Sequence, residues 1–192
     1  MTKYICENEQ QKYSRAYKLK TYRMGGDRMR HAKNDLVFAA EHGCWTYLDV
    51  GCGRGEMLDY GTELGMSASG VDIVPELALR RDDVIIGGAS EILELFGRDS
   101  FDLVTCFDVL EHLPPGSEND ALSAIRDVAA RCAIVTANNK PSFNGSDNLH
   151  INIKDYAEWN SIIESIFSGW SVQWIKNTYS PTWRMWRYNS TN

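Results

Sequence analysis

A chain of 192 residues can bury a sizeable core but is short for two independent domains, since one domain usually takes roughly 100 to 200 residues. Hydrophobic residues make up 43% and charged residues 24%, proportions that exclude disordered and fibrous classes. The formal net charge of -6 excludes a protein held to nucleic acid mainly by bulk electrostatics, which needs many Lys and Arg contacts to phosphate. That charge is unevenly spread: residues 1–33 carry nine basic side chains against three acidic ones, a net +6, leaving -12 for the rest. The pattern is a basic arm on an acidic body.

No apolar run approaches the roughly 20 residues needed to span a bilayer, and residues 1–7 lack the apolar stretch of a secretory signal. A soluble cytoplasmic protein without a membrane partner is expected. The five cysteines (Cys6, Cys44, Cys52, Cys106 and Cys132) form no Cys-x-x-Cys pair, so reduced thiols are expected rather than a zinc or redox site.

In chain order, residues 8–42 are basic with interleaved Tyr13, Tyr17 and Tyr22, and the pattern predicts two helices hinged at Gly25-Gly26. Apolar runs predict strands at 46–50, 68–73, 84–86, 101–107 and 133–137, alternating with helical patterns at 56–64, from Pro75, at 90–96 and at 118–130. Residues 138–148 read as a polar loop. A helix over 155–167 carries Trp159, Ile162, Ile163 and Ile166 at helical spacing, with Gly169 as its stop. The end, 172–176 and 182–188 joined through Tyr179-Ser180-Pro181, reads as a hairpin-like pair of strands. Buried strands joined by helices imply parallel pairing and right-handed crossovers, hence a doubly wound α/β fold. In the last segment, alternation sets Trp183 and Met185 on one face and Trp186 and Tyr188 on the other, as in a strand covered on both sides.

The first strand ends in Asp49 and enters a helix through Gly51, Cys52, Gly53 and Gly55, a turn expected to present bare backbone N–H groups to a nucleotide-like ligand. A dinucleotide fingerprint would need glycine at position 56, which is Glu56. Asp72, 17 residues after Gly55, ends the second strand where a carboxylate can accept ribose hydroxyls. Gly88-Ala89-Ser90 and Cys106-Phe107-Asp108 end the third and fourth strands at the same edge. All four loops should converge on one ligand.

Asp49-Val50-Gly51-Cys52-Gly53-Arg54-Gly55, Val71-Asp72, Phe101 to Val104 and Asp108-Val109-Leu110-Glu111-His112-Leu113 resemble the successive motifs of the class I S-adenosylmethionine-dependent methyltransferases, small-molecule type. The resemblance covers about residues 46–176. It implies a Rossmann-like, mostly parallel seven-stranded sheet with an antiparallel C-terminal strand and helices on both faces. Residues 1–192 would form one methyltransferase domain, with 1–45 a helical basic cover and 46–192 the core. It further implies that Asp49 and the Gly51 to Gly55 backbone hold the methionine end of S-adenosylmethionine, that Asp72 binds the ribose, and that Ile73 packs on adenine. Where the family commonly has an adenine-binding acid after the third strand, this chain has Gly87-Gly88-Ala89, so adenine contacts are expected at the Ala89 backbone and Ser90.

For a hydroxyl acceptor a base helps, and histidine suits because its unperturbed pKa lies near neutrality. His112 follows the fourth strand, and His150 lies in His150-Ile151-Asn152-Ile153, a stretch similar to one in small-molecule methyltransferases. Both are candidate catalytic residues; His31 and His42 read as ordinary side chains. The Asn/Asp-Pro-Pro-aromatic motif that grips a flipped base is replaced by Phe107-Asp108-Val109-Leu110, and a Pro-Cys nucleophile is absent. A small-molecule acceptor, methylated on oxygen or nitrogen, is therefore expected. The basic arm reads either as a substrate-attracting lid suited to an anionic acceptor or nucleotide, or as an amphipathic cover helix with a solvated face. The alternatives are a nucleic-acid- or protein-modifying methyltransferase that uses this arm, a NAD-dependent oxidoreductase and a non-catalytic binding module. No acid–histidine spacing identifies a metal site, although Asp108 with Asn138 or Asn139 offers the ligand types for magnesium.

Overall fold

The structure is a computed structural model that describes residues 2–18, 25–144, 147–176 and 181–187, the side chains of 2–8, 144 and 147 excepted. The expectations that fall on Tyr22, Tyr179, Ser180 and Tyr188 lie outside the described residues. Two helices come first, α1 (Thr2–Lys18) and α2 (Gly26–Glu41), followed by β1 (Thr46–Val50), α3 (Glu56–Glu63), β2 (Ser67–Asp72), α4 (Pro75–Ala78) and β3 (Val84–Ile86). Next are α5 (Ile92–Phe96), β4 (Phe101–Cys106), a 3-10 turn (Leu110–His112), α6 (Glu118–Val128) and β5 (Ala129–Thr136). The chain continues through β6 (Phe143–Asn144), β7 (Asp147–Asn148), α7 (Tyr156–Ile166), β8 (Trp170–Ile175) and β9 (Thr182–Arg187).

Seven strands form one sheet in the order β3-β2-β1-β4-β5-β9-β8, and β6 with β7 makes a separate ribbon. The pairs from β3 to β5 are parallel, whereas β9 runs antiparallel to both β5 and β8. Strand order reverses between β1 and β4, whose loops therefore part and leave a crevice at the carboxyl edge. That crevice is where the glycine turn and the Asp108 loop meet.

Both faces of the sheet are covered, as two-sided apolar strands demand. On one face Leu48, Val104, Val135, Trp183 and Met185 pack with Ile125 of α6 and Trp159 of α7; on the other, Tyr47, Leu103 and Ile134 pack with Leu36 of α2 and Leu58 of α3. Trp186 leans on this second cluster, opposite Trp183, so the alternation expected in β9 is realised among the described residues. The side chain of Asp155 accepts the Glu158 N–H at 2.7 Å and caps α7, while Gly169 (φ 87°) turns the chain after it.

Two differences from the sequence reading go beyond a residue or two at an element's end. α6 stops at Val128 and β5 starts at Ala129, four residues before the expected 133. Ala129 pairs with Phe101, and the Arg131 guanidinium is bonded to the Gly43 and His42 carbonyls, so tertiary pairing overrides the helical propensity of these residues. In the polar 138–148 stretch, Phe143 pairs with Asn148 in the β6–β7 ribbon, an element too short to leave a periodic signal.

Candidate active site

Three glycines after β1 adopt positive φ: Gly51 (76°), Gly53 (56°) and Gly55 (84°). This is the conformation that glycine reaches at least steric cost. A Cβ on Gly51 would lie 2.4 Å from the Val109 side chain, and one on Gly53 would lie 2.7 Å from the Tyr17 hydroxyl. The bare N–H groups expected of this turn are mostly not bare. Gly51 and Cys52 donate to the Val71 carbonyl (2.8 and 3.2 Å), Gly53 donates to Asp72 (2.9 Å), and Gly55 donates to the Cys52 carbonyl (2.9 Å). Tight pairing with β2 consumes the donors, so the turn contributes open space rather than free amides. Cys52 is buried and lines the small pocket described below, with its sulfur packed against Gly70.

Asp49 ends β1 in register with Thr105 on β4. Thr105 Oγ1 donates to its carboxylate at 2.6 Å, and the Tyr47 hydroxyl completes the chain at 2.9 Å from Thr105. Burial raises the Asp49 pKa to about 7, against these hydrogen bonds, which favour the ionised form. Asp72 is also buried, accepting Gly53 N–H on one oxygen and Val74 N–H on the other, both at 2.9 Å. Burial raises its pKa as well. Each carboxylate oxygen retains a second lone pair, so these bonds position the acid and still leave it able to accept hydroxyls.

A cavity of about 510 Å³ runs along this edge, lined among others by Tyr13, Gly51, Asp72, Ile73, Ala89 and Ser90. A second pocket of about 150 Å³ adjoins it, lined by residues that include Arg28, Asp49, Gly53, Phe107, Ser142 and His150. Tyr17, Gly51, Asp108 and His112 line both. Every residue expected at the site therefore reaches one of the two spaces except Gly55, whose Cβ position faces Arg81. After β3, the Gly88 N–H donates to the Glu91 carboxylate at 2.7 Å.

His112 and His150, 38 positions apart in sequence, have ring centroids 4.7 Å apart and meet edge to face. Each Nδ1 lies on a backbone carbonyl oxygen: Leu149 at 2.8 Å for His112 and Lys140 at 2.5 Å for His150. A carbonyl can only accept, so both Nδ1 atoms carry the proton and both Nε2 atoms carry a lone pair. Burial lowers the His112 pKa to about 4, helped by the neighbouring His150, and burial also lowers that of His150. Both rings are uncharged at neutral pH. The Tyr13 hydroxyl approaches His112 Nδ1 at 2.7 Å and donates to the Leu149 carbonyl at 3.2 Å.

Long-range hydrogen bonds assemble this half of the site. The Ile151 and Asn152 N–H groups both donate to the Glu111 carbonyl at 3.0 Å, and the Asn152 side-chain amide donates to the Leu110 carbonyl and to Glu118. Asp108 (φ 54°) accepts Arg28 Nη1 at 2.9 Å and Thr136 Oγ1 at 3.3 Å. His42 lines neither pocket: its Nδ1 lies 2.7 Å from the Phe38 carbonyl, and its ring packs on Phe38 and Trp186.

Sequence reasoning set Tyr13 and Tyr17 only within an arm that could close over the site, where both line the larger cavity, and it missed Gln10 as an anchor of that arm. Tyr17 sits against Gly53, and Gln10 Nε2 donates to the Ile73 carbonyl at 2.7 Å. Several of the arm's cations are paired within the chain, Lys12 with Glu9, Arg28 with Asp108 and Arg30 with Asp27. Their pairing fits a covering helix better than an open basic surface. Thr105 was also missed, although its register opposite Asp49 follows from parallel pairing of β1 with β4.

This glycine-turned crevice on a 3-2-1-4-5 sheet defines a Rossmann-like transferase. The family described as a methyltransferase domain matches residues 11–190, and the chain belongs to it, among the class I S-adenosylmethionine-dependent methyltransferases. Curated relatives include a ubiquinone biosynthesis O-methyltransferase of Xanthomonas campestris pv. campestris, 33% identical over 92 residues, covering 43% of this chain and 36% of that protein. A protein of the same description from Xanthomonas axonopodis pv. citri is 30% identical over 105 residues, covering 50% and 44%. The chain thus spans less than half the length of these relatives.

Among solved structures, magnesium protoporphyrin IX methyltransferase from Synechocystis PCC 6803 with bound SAM aligns at TM-score 0.61, with 18% identity over 83% of this chain and 79% of that one. The small RNA methyltransferase HEN1 aligns at TM-score 0.68, with 17% identity over 85% and 26%. The 1,6-didemethyltoxoflavin-N1-methyltransferase of Burkholderia thailandensis aligns at 0.59, with 20% identity over 84% and 79%. At such identities the likeness is one of fold. No helix among the described residues is long and apolar enough to cross a membrane.

Proposed function

We propose that this protein transfers the methyl group of S-adenosylmethionine to an oxygen of a small, anionic acceptor. The observation that carries the reading is the pair of uncharged imidazoles, His112 and His150, on the wall of the pocket that adjoins the cofactor-sized cavity. The cavity, at about 510 Å³, falls within the range of about 300–1,000 Å³ usual for small-ligand sites. A floor whose Cβ positions are blocked at Gly51 and Gly53, with buried Asp49 and Asp72 beside it, suits a close-lying cationic ligand. S-Adenosylmethionine supplies a sulfonium methyl with an already activated leaving group, so holding the acceptor in line carries much of the catalysis.

In this reading Asp49 and the 51–55 turn hold the methionine end, Asp72 the ribose and Ile73 the adenine face, with the Ala89 backbone and Ser90 at its edge. Phe107 and Asp108 border the path of the methyl. A lone pair at His112 or His150 receives the acceptor's hydroxyl proton as the oxygen bonds the methyl carbon and the carbon–sulfur bond breaks toward sulfur. Arg28 lines the smaller pocket with one nitrogen on Asp108, and its remaining N–H donors suit an anionic acceptor. The O-methyltransferase relatives support oxygen over nitrogen. We place the enzyme in the cytoplasm as one methyltransferase domain with residues 1–45 covering the cleft, a reading supported by four free cysteines among the described residues.

Calorimetry with S-adenosylhomocysteine and with NAD tests the cofactor, and transfer of labelled methyl to a panel of small phenols and hydroxy acids, with RNA alongside, tests the acceptor. Binding of S-adenosylhomocysteine and methylation of a small hydroxyl compound are expected. Binding of NAD alone would remove the cofactor assignment. Methylation of RNA alone, with steep salt dependence, would remove the small acceptor.

A further inference from the structure

Glu111 is fully buried; among the described residues only main-chain N–H groups, its own and that of Asn138, come near its carboxylate, and neither oxygen makes a hydrogen bond of good geometry. An interior carboxylate left in that state is costly, and a group the polypeptide itself does not satisfy points to a water or ion that does. Its neighbours are His112 and His150, and one ligating atom from each of the three residues lies within 4.8 Å of the other two.

Backbone bonds hold the cluster together. The Glu111 carbonyl accepts from Ile151 and Asn152, which fixes the segment carrying His150 beside Glu111. Both Nδ1 atoms are anchored on main-chain carbonyls, the arrangement that orients metal-bound histidines and leaves Nε2 to ligate. We propose that Glu111, His112 and His150 form a binding site for a divalent first-row transition-metal ion at the acceptor end of the cleft. Two imidazoles and one carboxylate are the donor set of open-sided catalytic sites, which leave positions for a substrate oxygen. Ligating atoms around a tetrahedral ion at ordinary bond lengths lie about 3.4 Å apart, so binding draws these side chains inward.

The ion's role rests on the O-methylation reading; its binding does not. With the ion bound, an acceptor oxygen on it would shed its proton to water more readily and then bond the methyl carbon, the two imidazoles acting as ligands; only without the ion does an imidazole receive that proton. Released products are the methyl ether, the thioether and one proton.

The test uses the full chain, stripped with a chelator and titrated with Zn²⁺ and with Co²⁺ alone, followed by calorimetry and, for Co²⁺, by visible absorption. One ion per chain is expected. Glu111→Gln and His150→Gln should each weaken binding by at least about tenfold while S-adenosylhomocysteine still binds. No ion uptake by the folded wild-type chain, or uptake unchanged in both variants, would overturn the site. Cofactor binding without ion binding defeats the metal site alone, whereas ion binding without cofactor binding defeats the cofactor reading alone.

Discussion

The two halves of the cleft are built by different means. Around β1, β2 and β3 the ligand surface is backbone and space: three glycines at positive φ, amides paired across strands, and two acids buried at strand ends. Around the β4 and β5 loops it is side chains, with His112, His150 and Asp108 brought together beside the buried Glu111 from segments some 40 residues apart by carbonyl-centred hydrogen bonds. The first half follows from local chain geometry. The second exists only once the fold is complete.

Substitutions should therefore fail differently on the two sides. The largest effect is expected from His150→Ala, with kcat falling about 10²–10⁴-fold and affinity for S-adenosylhomocysteine almost unchanged; steady-state rates and calorimetry on the same preparation check this, and lost cofactor affinity would mean that the halves are not separable. Gly51→Ala should do the converse. Its Cβ would meet Val109 at 2.4 Å at a φ of 76°, costing about 1–3 kcal/mol in stability and lowering cofactor affinity, as thermal melts and titration would reveal. Asp72→Ala should weaken cofactor binding by about 1–3 kcal/mol through lost charged hydrogen bonds. Unchanged affinity would sink the ribose assignment.

The smallest effect concerns pH. Folding raises the Asp49 pKa from 3.8 to about 7, so the native state binds a proton that the unfolded chain has lost between those values. The stability this group contributes is full below pH 3.8 and is lost as pH rises through about 7. Asp49→Asn should accordingly raise the melting temperature of the ligand-free protein relative to wild type above pH 7 while weakening cofactor binding. Parallel melting curves for the two proteins across pH 5–9 would contradict the assignment.

The same division explains what could be read in advance. The Asp49–Gly55 turn, Asp72 and the alternation of Trp183, Met185 and Trp186 are each set by spacing within one segment, and the folded chain realises them. The start of β5 at Ala129 was not legible, because pairing with β4 overrides the helical character of residues 129 and 130. The expected free amides of the turn failed for a related reason: Val71 and Asp72, on another strand, take them. His112 and His150 were visible as single residues, but Glu111 as their companion was not, since its meaning lies in complete burial beside a histidine 39 positions away. Tyr13 and Tyr17 gave only the signal of aromatic residues on a basic helix.

The clamp on the Glu111 carbonyl has a consequence for protein engineering. His150 is held from one side by Ile151 and Asn152, whose N–H groups both donate to the Glu111 carbonyl, and is oriented from the other by the Lys140 carbonyl. Redesign of the acceptor pocket should therefore leave the main chain at 140 and 150–152 unaltered and vary side chains around it, because an insertion there would displace the imidazole.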